Sequence, residues 1–279
     1  LMWDPGESQN RFRKLMDLSA AAMDSKPGVI IWPEAALPAL GADNFQTILE
    51  FIRSNQVSMI FGADDTERTP VATNSYNSCF LFSPEGKFLE TYRKRRLVIF
   101  GEYVPLKNLL PFLKYLTPVQ DGFSAGTGPV LFRIPGTEAI CSPIICFEDA
   151  FSDICRQHTT SDTDFLLNLT NDGWFGESAE HWQQAFMAAF RAIENGVPLV
   201  RCTNNGITCW FDRHGRLKEF FSGPTEYSPG FLIADIPLGT RTETYFHRHG
   251  DILGIFCSAI TLLACARGIF PQILKLKRR

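Results

Sequence analysis

Three short runs, Gly28–Trp32, Val57–Gly62 and Phe165–Leu169, are apolar almost throughout, and they limit what this chain can fold into more than any other feature. They are strand-length, and a strand without polar alternation has to be covered on both faces. The covering is written between them. Asn10–Ser25 carries Phe12, Leu15, Met16, Leu18, Ala21 and Ala22 at helical spacing and stops at Pro27-Gly28. Phe45–Ser54 and Ala179–Asn195 read as further helices, and a short helical stretch begins near Asp149. Ser75–Phe82 and Lys87–Tyr92 flank Ser83-Pro84-Glu85-Gly86, a turn between two strands. Val130–Ile134 and Ala139–Ile145 flank Pro135-Gly136, and Leu199–Thr203, Thr208–Phe211 and Phe231–Ile236 complete the expected strands. Helices alternating with buried strands, interrupted by hairpins, give an α/β class with covered, mixed sheets.

With 279 residues, 45% of them apolar, the chain can bury a large core. It shows no internal repeat and no linker before about Thr240, so 1–245 reads as one domain and 246–279 as a separate terminal segment. A net charge of −3, with basic runs confined to Arg93–Arg96 and the last residues, argues against nucleic acid as a partner. The eight cysteines are scattered without a CxxC pair, which signals neither a zinc site nor a disulfide framework. Ile252–Ala266 carries no charge, and Lys275, Lys277, Arg278 and Arg279 close the chain. The expectation is a C-terminal transmembrane helix with a cytoplasmic basic tail and the domain on the other side, a buried core helix being the alternative. No signal peptide opens the sequence, which begins Leu-Met-Trp-Asp-Pro-Gly, as at a fragment boundary.

Polar groups just past buried strands are where sites form in such sheets. Trp32-Pro33-Glu34 places a carboxylate after one strand, Ile145-Cys146-Phe147-Glu148-Asp149 a thiol after another, and Asn168-Leu-Thr-Asn171-Asp172-Gly173-Trp174-Phe175-Gly176 a polar loop after a third. A thiol becomes a nucleophile when a base takes its proton and a cation lies nearby. Glu34 can serve as the base and Lys94, in Tyr92-Arg-Lys94-Arg-Arg-Leu-Val-Ile-Phe-Gly-Glu102-Tyr-Val-Pro105, as the cation. Taken singly, Glu34 could cap a helix, Lys94 could be solvated and Cys146 could fill a core. None of the five histidines, His158, His181, His214, His247 and His249, sits in a comparable segment, so a Cys-His pair has no support.

Together, Glu34 in W-P-E, Lys94 in K-x-x-L-V-x-F-G-E-Y-V-P and Cys146 in C-F-E resemble the Glu-Lys-Cys triad of the nitrilase superfamily. With L-x-N-x-x-N-D-G-W-F-G and the closing R-x-G-D before an apolar helix, the chain looks most like the apolipoprotein N-acyltransferase family within it. The resemblance implies a nitrilase-like α-β-β-α sandwich with Cys146 as nucleophile, Glu34 as general base and Lys94 as oxyanion stabiliser. It also implies that Glu102 orients Lys94 or assists the base, that Glu148 positions the site, and that Asn171, Trp174 and Phe175 contact substrate; ordinary core packing is the other reading for the two aromatics. The implied reaction moves a fatty acyl chain from a phospholipid to the N-terminal amine of a diacylglyceryl-cysteine lipoprotein through a cysteine thioester. The implied place is the bacterial inner membrane, with the domain on its periplasmic side. Phe112, Leu113, Tyr115 and Leu116 would suit a loop dipping into the bilayer, or core packing equally. Members of that family carry several membrane helices ahead of this domain, so the sequence is expected to be a fragment lacking them. The chemistry needs no metal and no organic cofactor. The alternative is a soluble carbon-nitrogen hydrolase, an amidase or nitrilase, using the same triad with water as acceptor.

Overall fold

A computed structural model of the chain describes residues 5–37, 42–70, 72–106, 112, 122–173, 176, 178–223, 228–239 and 241–276. In β2 (Ser58–Arg68), Met59, Phe61 and Ala63 join a core with Trp32, Ile48 and Ile52, while Ile60 joins another with Cys79, Leu81 and Tyr92. Successive strand residues point to opposite faces, so a strand apolar at both parities must be covered on both. Helices α1 (Pro5–Ala22) and α2 (Ala42–Asn55) supply the first cover, placing Phe12, Ile48, Leu49 and Ile52 against the sheet. The other face meets a second sheet.

The first sheet runs β1-β2-β3-β4, with β1 (Val29–Ile31) parallel to β2, and β3 (Thr73–Phe82) and β4 (Phe88–Arg93) antiparallel in turn. The second contains β5 (Phe132–Arg133), β6 (Ile140–Ile145), β7 (Phe165–Asn171), β8 (Leu199–Asn204), β9 (Cys209–Phe211) and β10 (Leu217–Phe220). Its order is β10-β9-β8-β7-β6-β5, with only β6-β7 and β7-β8 parallel. Phe132, Cys141, Ile145, Phe165, Leu167 and Leu169 face the first sheet, whereas Ile144, Leu166 and Leu199 face α3 (Ser152–His158) and α4 (Glu180–Asn195). The layers are therefore α-β-β-α with mixed sheets. The chain leaves β1 toward Glu34, β4 at Lys94 and β6 at Cys146.

Three expectations change. The strand expected at Phe231–Ile236 forms no ladder among the described residues, so this extended segment is not a strand there, and β10, too short and polar to stand out, is present instead. After α5 (Tyr245–His249), the terminal apolar run is one helix, α6 (Ile252–Leu276). Ile252, Leu253, Ile255, Phe256, Ile260, Leu262 and Leu263 on it are exposed, which removes the buried-core alternative. Among the described residues, however, no helix is long and apolar enough to cross a membrane. The uncharged stretch from Ile252 to Ala266 reaches only about 22 Å as a helix, short of a hydrocarbon core of about 30 Å.

A cavity of about 950 Å³ lies between α1, β1, β8 and the extended segment 228–238. Trp32, Cys202 and Phe231 help line it, but Glu34, Lys94 and Cys146 do not.

Candidate active site

Glu34 is delivered by the chain continuing past β1 along β2. Trp32 N–H donates to Ile60 O at 2.9 Å and Gly62 N–H to Pro33 O at 3.2 Å. This close approach requires glycine at 62, because a Cβ there would lie 2.7 Å from Pro33 O and 2.8 Å from Glu34 Cα. Lys94 comes immediately after β4, where its N–H donates to Asn77 O at 2.9 Å. The side chain that the sequence left to solvent or site is 1% exposed. Glu102 comes from a tight turn in which its own N–H donates to Val98 O and its Oε2 accepts Val98 N–H, both at 2.8 Å.

These three side chains meet. Lys94 Nζ donates to Glu102 Oε1 at 2.7 Å and to Glu34 Oε1 at 3.5 Å. Asn77 Nδ2 bridges the same two oxygens, at 2.7 Å from Glu34 and 3.1 Å from Glu102. Buried charges persist only when paired and hydrogen-bonded, and here one cation and one amide satisfy two carboxylates.

Cys146 follows the last residue of β6 with φ +54°, a left-handed conformation unusual for a side chain with Cβ. Strain of this kind is retained where the surroundings over-determine it. Glu148 supplies part of that restraint: it is fully buried, and its Oε2 accepts Ile145 N–H at 2.8 Å. Its Oε1 accepts Arg95 N–H at 2.7 Å and Arg96 N–H at 3.0 Å, and Tyr92 Oη donates to both oxygens, at 2.9 and 2.8 Å. One carboxylate thus ties the backbone beside Lys94 to the backbone beside Cys146. Behind it, Asn168 Nδ2 donates to Cys146 O at 3.4 Å and to Asp149 Oδ2 at 2.6 Å. Arg201, 0% exposed, pairs with Asp149 at 2.7 Å and Asp172 at 2.9 Å.

The electrostatics follow from burial. Desolvation raises the Glu34 pKa most; Lys94 and Asn77 oppose this, and Glu102 adds to it. The Cys146 thiol is pushed up to about 12, first by desolvation and then by Glu34, with Lys94 and Thr170 pulling it back. Desolvation is also the largest influence on Lys94 and would discharge it, but the attraction of Cys146, Glu34 and Glu102 outweighs it and holds the pKa above the ordinary lysine value. The resting site therefore holds a protonated thiol beside a carboxylate with raised proton affinity and a fixed ammonium. Such a thiol reacts when its proton is removed as it attacks, and an ammonium beside it can stabilise an oxyanion.

The structure thus brings together Glu34, Lys94, Glu102, Cys146 and Glu148. Asn171, at the end of β7 and buried, accepts Gly173 N–H through Oδ1 at 3.2 Å and shapes the following loop. Trp174 and Phe175 lie outside the described residues, as do Leu113, Tyr115 and Leu116, while Phe112 is exposed. Buried His158 and His181 are engaged elsewhere, with Ser142 Oγ at 3.2 Å and Asp172 O at 3.3 Å. Sequence reasoning missed Asn77, Tyr92, Asp149 and Arg201. A signal existed for one of them: Arg201 is a guanidinium inside the run Leu199-Val200-Arg201-Cys202, where a buried charge needs partners.

The sequence signature of carbon-nitrogen hydrolases matches residues 4–246. Among curated proteins, the chain is 32% identical over 264 residues to an apolipoprotein N-acyltransferase of Geobacter metallireducens, covering 93% of this chain and 49% of that protein. It is 35% identical over 248 residues to one of Bradyrhizobium diazoefficiens, covering 86% and 45%. The chain therefore spans about half the length of the curated relatives it matches. Among solved structures, an amidase from Nesterenkonia sp. AN1, bearing the product of Michael addition of acrylamide at its active-site cysteine, superposes with a TM-score of 0.61 at 15% identity, covering 82% of this chain and 88% of that one. That likeness concerns the fold alone.

Proposed function

This chain belongs to the carbon-nitrogen hydrolase family, and on that premise we propose that it carries the acyl-transfer centre of an apolipoprotein N-acyltransferase. In this reading Cys146 attacks the ester carbonyl of a phospholipid while Glu34 takes the thiol proton. Lys94 faces the oxyanion, and the lysophospholipid oxygen leaves with the proton held by Glu34. The N-terminal amine of a diacylglyceryl-cysteine lipoprotein then attacks the thioester. Glu102 orients Lys94, and Glu148 holds the two halves of the site in register. Asn171 shapes the loop that follows β7 on the substrate side, its Oδ1 accepting Gly173 N–H.

The observation that carries this reading is the apolar rim beside a buried polar site. Val98, Ile99 and Phe100, in the turn that holds Glu102, are exposed, as is Phe147, next to Cys146. Leu106 and Phe112 are exposed as well. Large apolar side chains open to solvent around a catalytic cluster suit a lipid donor. The exposed apolar side chains of α6 support attachment of residues 246–279 to the bacterial inner membrane, and the basic residues Lys275, Lys277, Arg278 and Arg279 that close the chain suit a cytoplasmic tail with domain 1–245 on the outer side.

The test uses the full-length, membrane-embedded protein with phospholipid and a synthetic S-diacylglyceryl-cysteine peptide. Acyl-peptide formation that exceeds release of free fatty acid supports transfer. Hydrolysis of small amides without acyl-peptide would establish the hydrolase alternative.

A further inference from the structure

The alternation of β2 places a second acidic side chain at the opening of the Glu34 site. Gly62, which lies under Glu34 Cα, and Asp64 are two residues apart and so share one sheet face, about 7 Å apart along the strand. Across the sheet, Asp64 is directly opposite Asn77, the residue whose amide binds both Glu34 and Glu102. Side chains of directly opposed strand residues lie on the same face as neighbours. Asp65, on the other face, is paired with Arg93 at 2.7 Å, as Glu67 is at 3.3 Å. Asp64 has no such partner: it is exposed, and its carboxylate makes no hydrogen bond or ion pair with another described residue. Among the described residues the opening thus presents Asp64, Glu34 and Glu102, with Lys94 paired to the last two.

We propose that Asp64 selects the acceptor, its carboxylate receiving the protonated N-terminal amine of the incoming peptide beside the acyl-cysteine; this rests on the acyl-transfer reading above. An unpaired carboxylate at the edge of a site with excess negative charge favours an ammonium over a neutral or anionic nucleophile. Desolvation, and then the neighbouring Glu34, push the Asp64 carboxyl up to about 6, so it can accept a proton from the ammonium it binds. The neutral amine then attacks the thioester carbonyl: the C–N bond forms, the C–S bond breaks, and the second amine proton passes through Glu34 to the Cys146 sulfur. Asp64 returns its proton to water. Atoms and charge balance without a further reactant.

The experiment compares the full-length protein with its Asp64→Asn variant in phospholipid vesicles, measuring the two half-reactions separately. Thioester formation without acceptor is expected to be the same in both, because no acceptor amine takes part. With a free-amine S-diacylglyceryl-cysteine peptide, the KM of the variant is expected to rise on the order of tenfold, the scale of one charge-assisted contact. Discharge by hydroxylamine, an uncharged nucleophile, should not change. An unchanged peptide KM overturns the proposal, and so does a parallel loss of thioester formation, which would mark Asp64 as a structural residue. If the parent protein forms no thioester, the acyl-transfer reading fails and takes this inference with it.

Discussion

Replacing Glu148 by glutamine tests whether one carboxylate joins the two halves of the site. Its oxygens accept three backbone N–H groups, from Ile145, Arg95 and Arg96, and the Tyr92 hydroxyl. Glutamine keeps one acceptor oxygen, which can stay with Arg95 and Arg96, but its NH2 then faces the Ile145 N–H donor. A buried N–H without an acceptor costs about 1–3 kcal/mol, and each remaining bond weakens by about 1 kcal/mol on losing charge assistance. Against this, the neutral amide avoids the desolvation that raises the Glu148 pKa. The net expectation is a loss of about 2–4 kcal/mol, or a fall in Tm of about 5–15 °C for a domain of this size. Because the bonds fix Cys146 relative to Lys94, a slip of about 1 Å should also slow thioester formation on the order of a hundredfold. Circular-dichroism melting and time-resolved acylation measure the two effects. A Tm within about 2 °C of the parent with an unchanged acylation rate would refute the reasoning.

Three further substitutions probe separate links. Gly62→Ala forces a Cβ to within 2.7 Å of Pro33 O and 2.8 Å of Glu34 Cα; acylation should fall at least tenfold as the base is displaced, at a stability cost of about 1–3 kcal/mol seen in denaturant titration. Glu34→Gln should abolish thioester formation while phospholipid still binds, since the thiol held near 12 loses its proton acceptor; a labelled-lipid binding assay run beside the acylation assay separates the two. The third concerns pH: with the Asp64 carboxyl raised from 3.8 to about 6, the folded state holds more protons than the unfolded one across that window. The stabilisation is full below about 3.8 and is lost as pH rises through about 6. Asp64→Asn should flatten this decline in urea midpoints measured between those values, and an identical slope in both proteins would contradict the assignment.

The sheets were legible because their strands are apolar on both faces, and the pattern that marks Val57–Gly62 as buried is the one that splits Met59 and Ile60 between two cores. The extra length of β2, through Asp64 to Arg68, was not, since that half is polar and stays in register only by pairing with β3. Lys94 and Glu102 could be nominated from their motif, but the partners that surround Lys94 come from elsewhere, Asn77 from β3 and Glu34 from the segment after β1. Arg201 stood out only as a charge in an apolar strand; its partners Asp149 and Asp172 belong to the ends of two other elements. Local pattern thus fixes which strands are covered, whereas pairing across the sheets decides which polar side chains meet.

The most direct test of Cys146 as the acyl carrier is intact mass spectrometry of the protein after incubation with phospholipid vesicles, beside its Cys146→Ala variant. The parent is expected to gain the mass of one acyl chain, which hydroxylamine removes and which the folded variant never acquires. An adduct of the same mass on the Cys146→Ala protein, or its absence from the parent under conditions where acyl-peptide accumulates, would contradict the assignment of Cys146 as the acyl carrier.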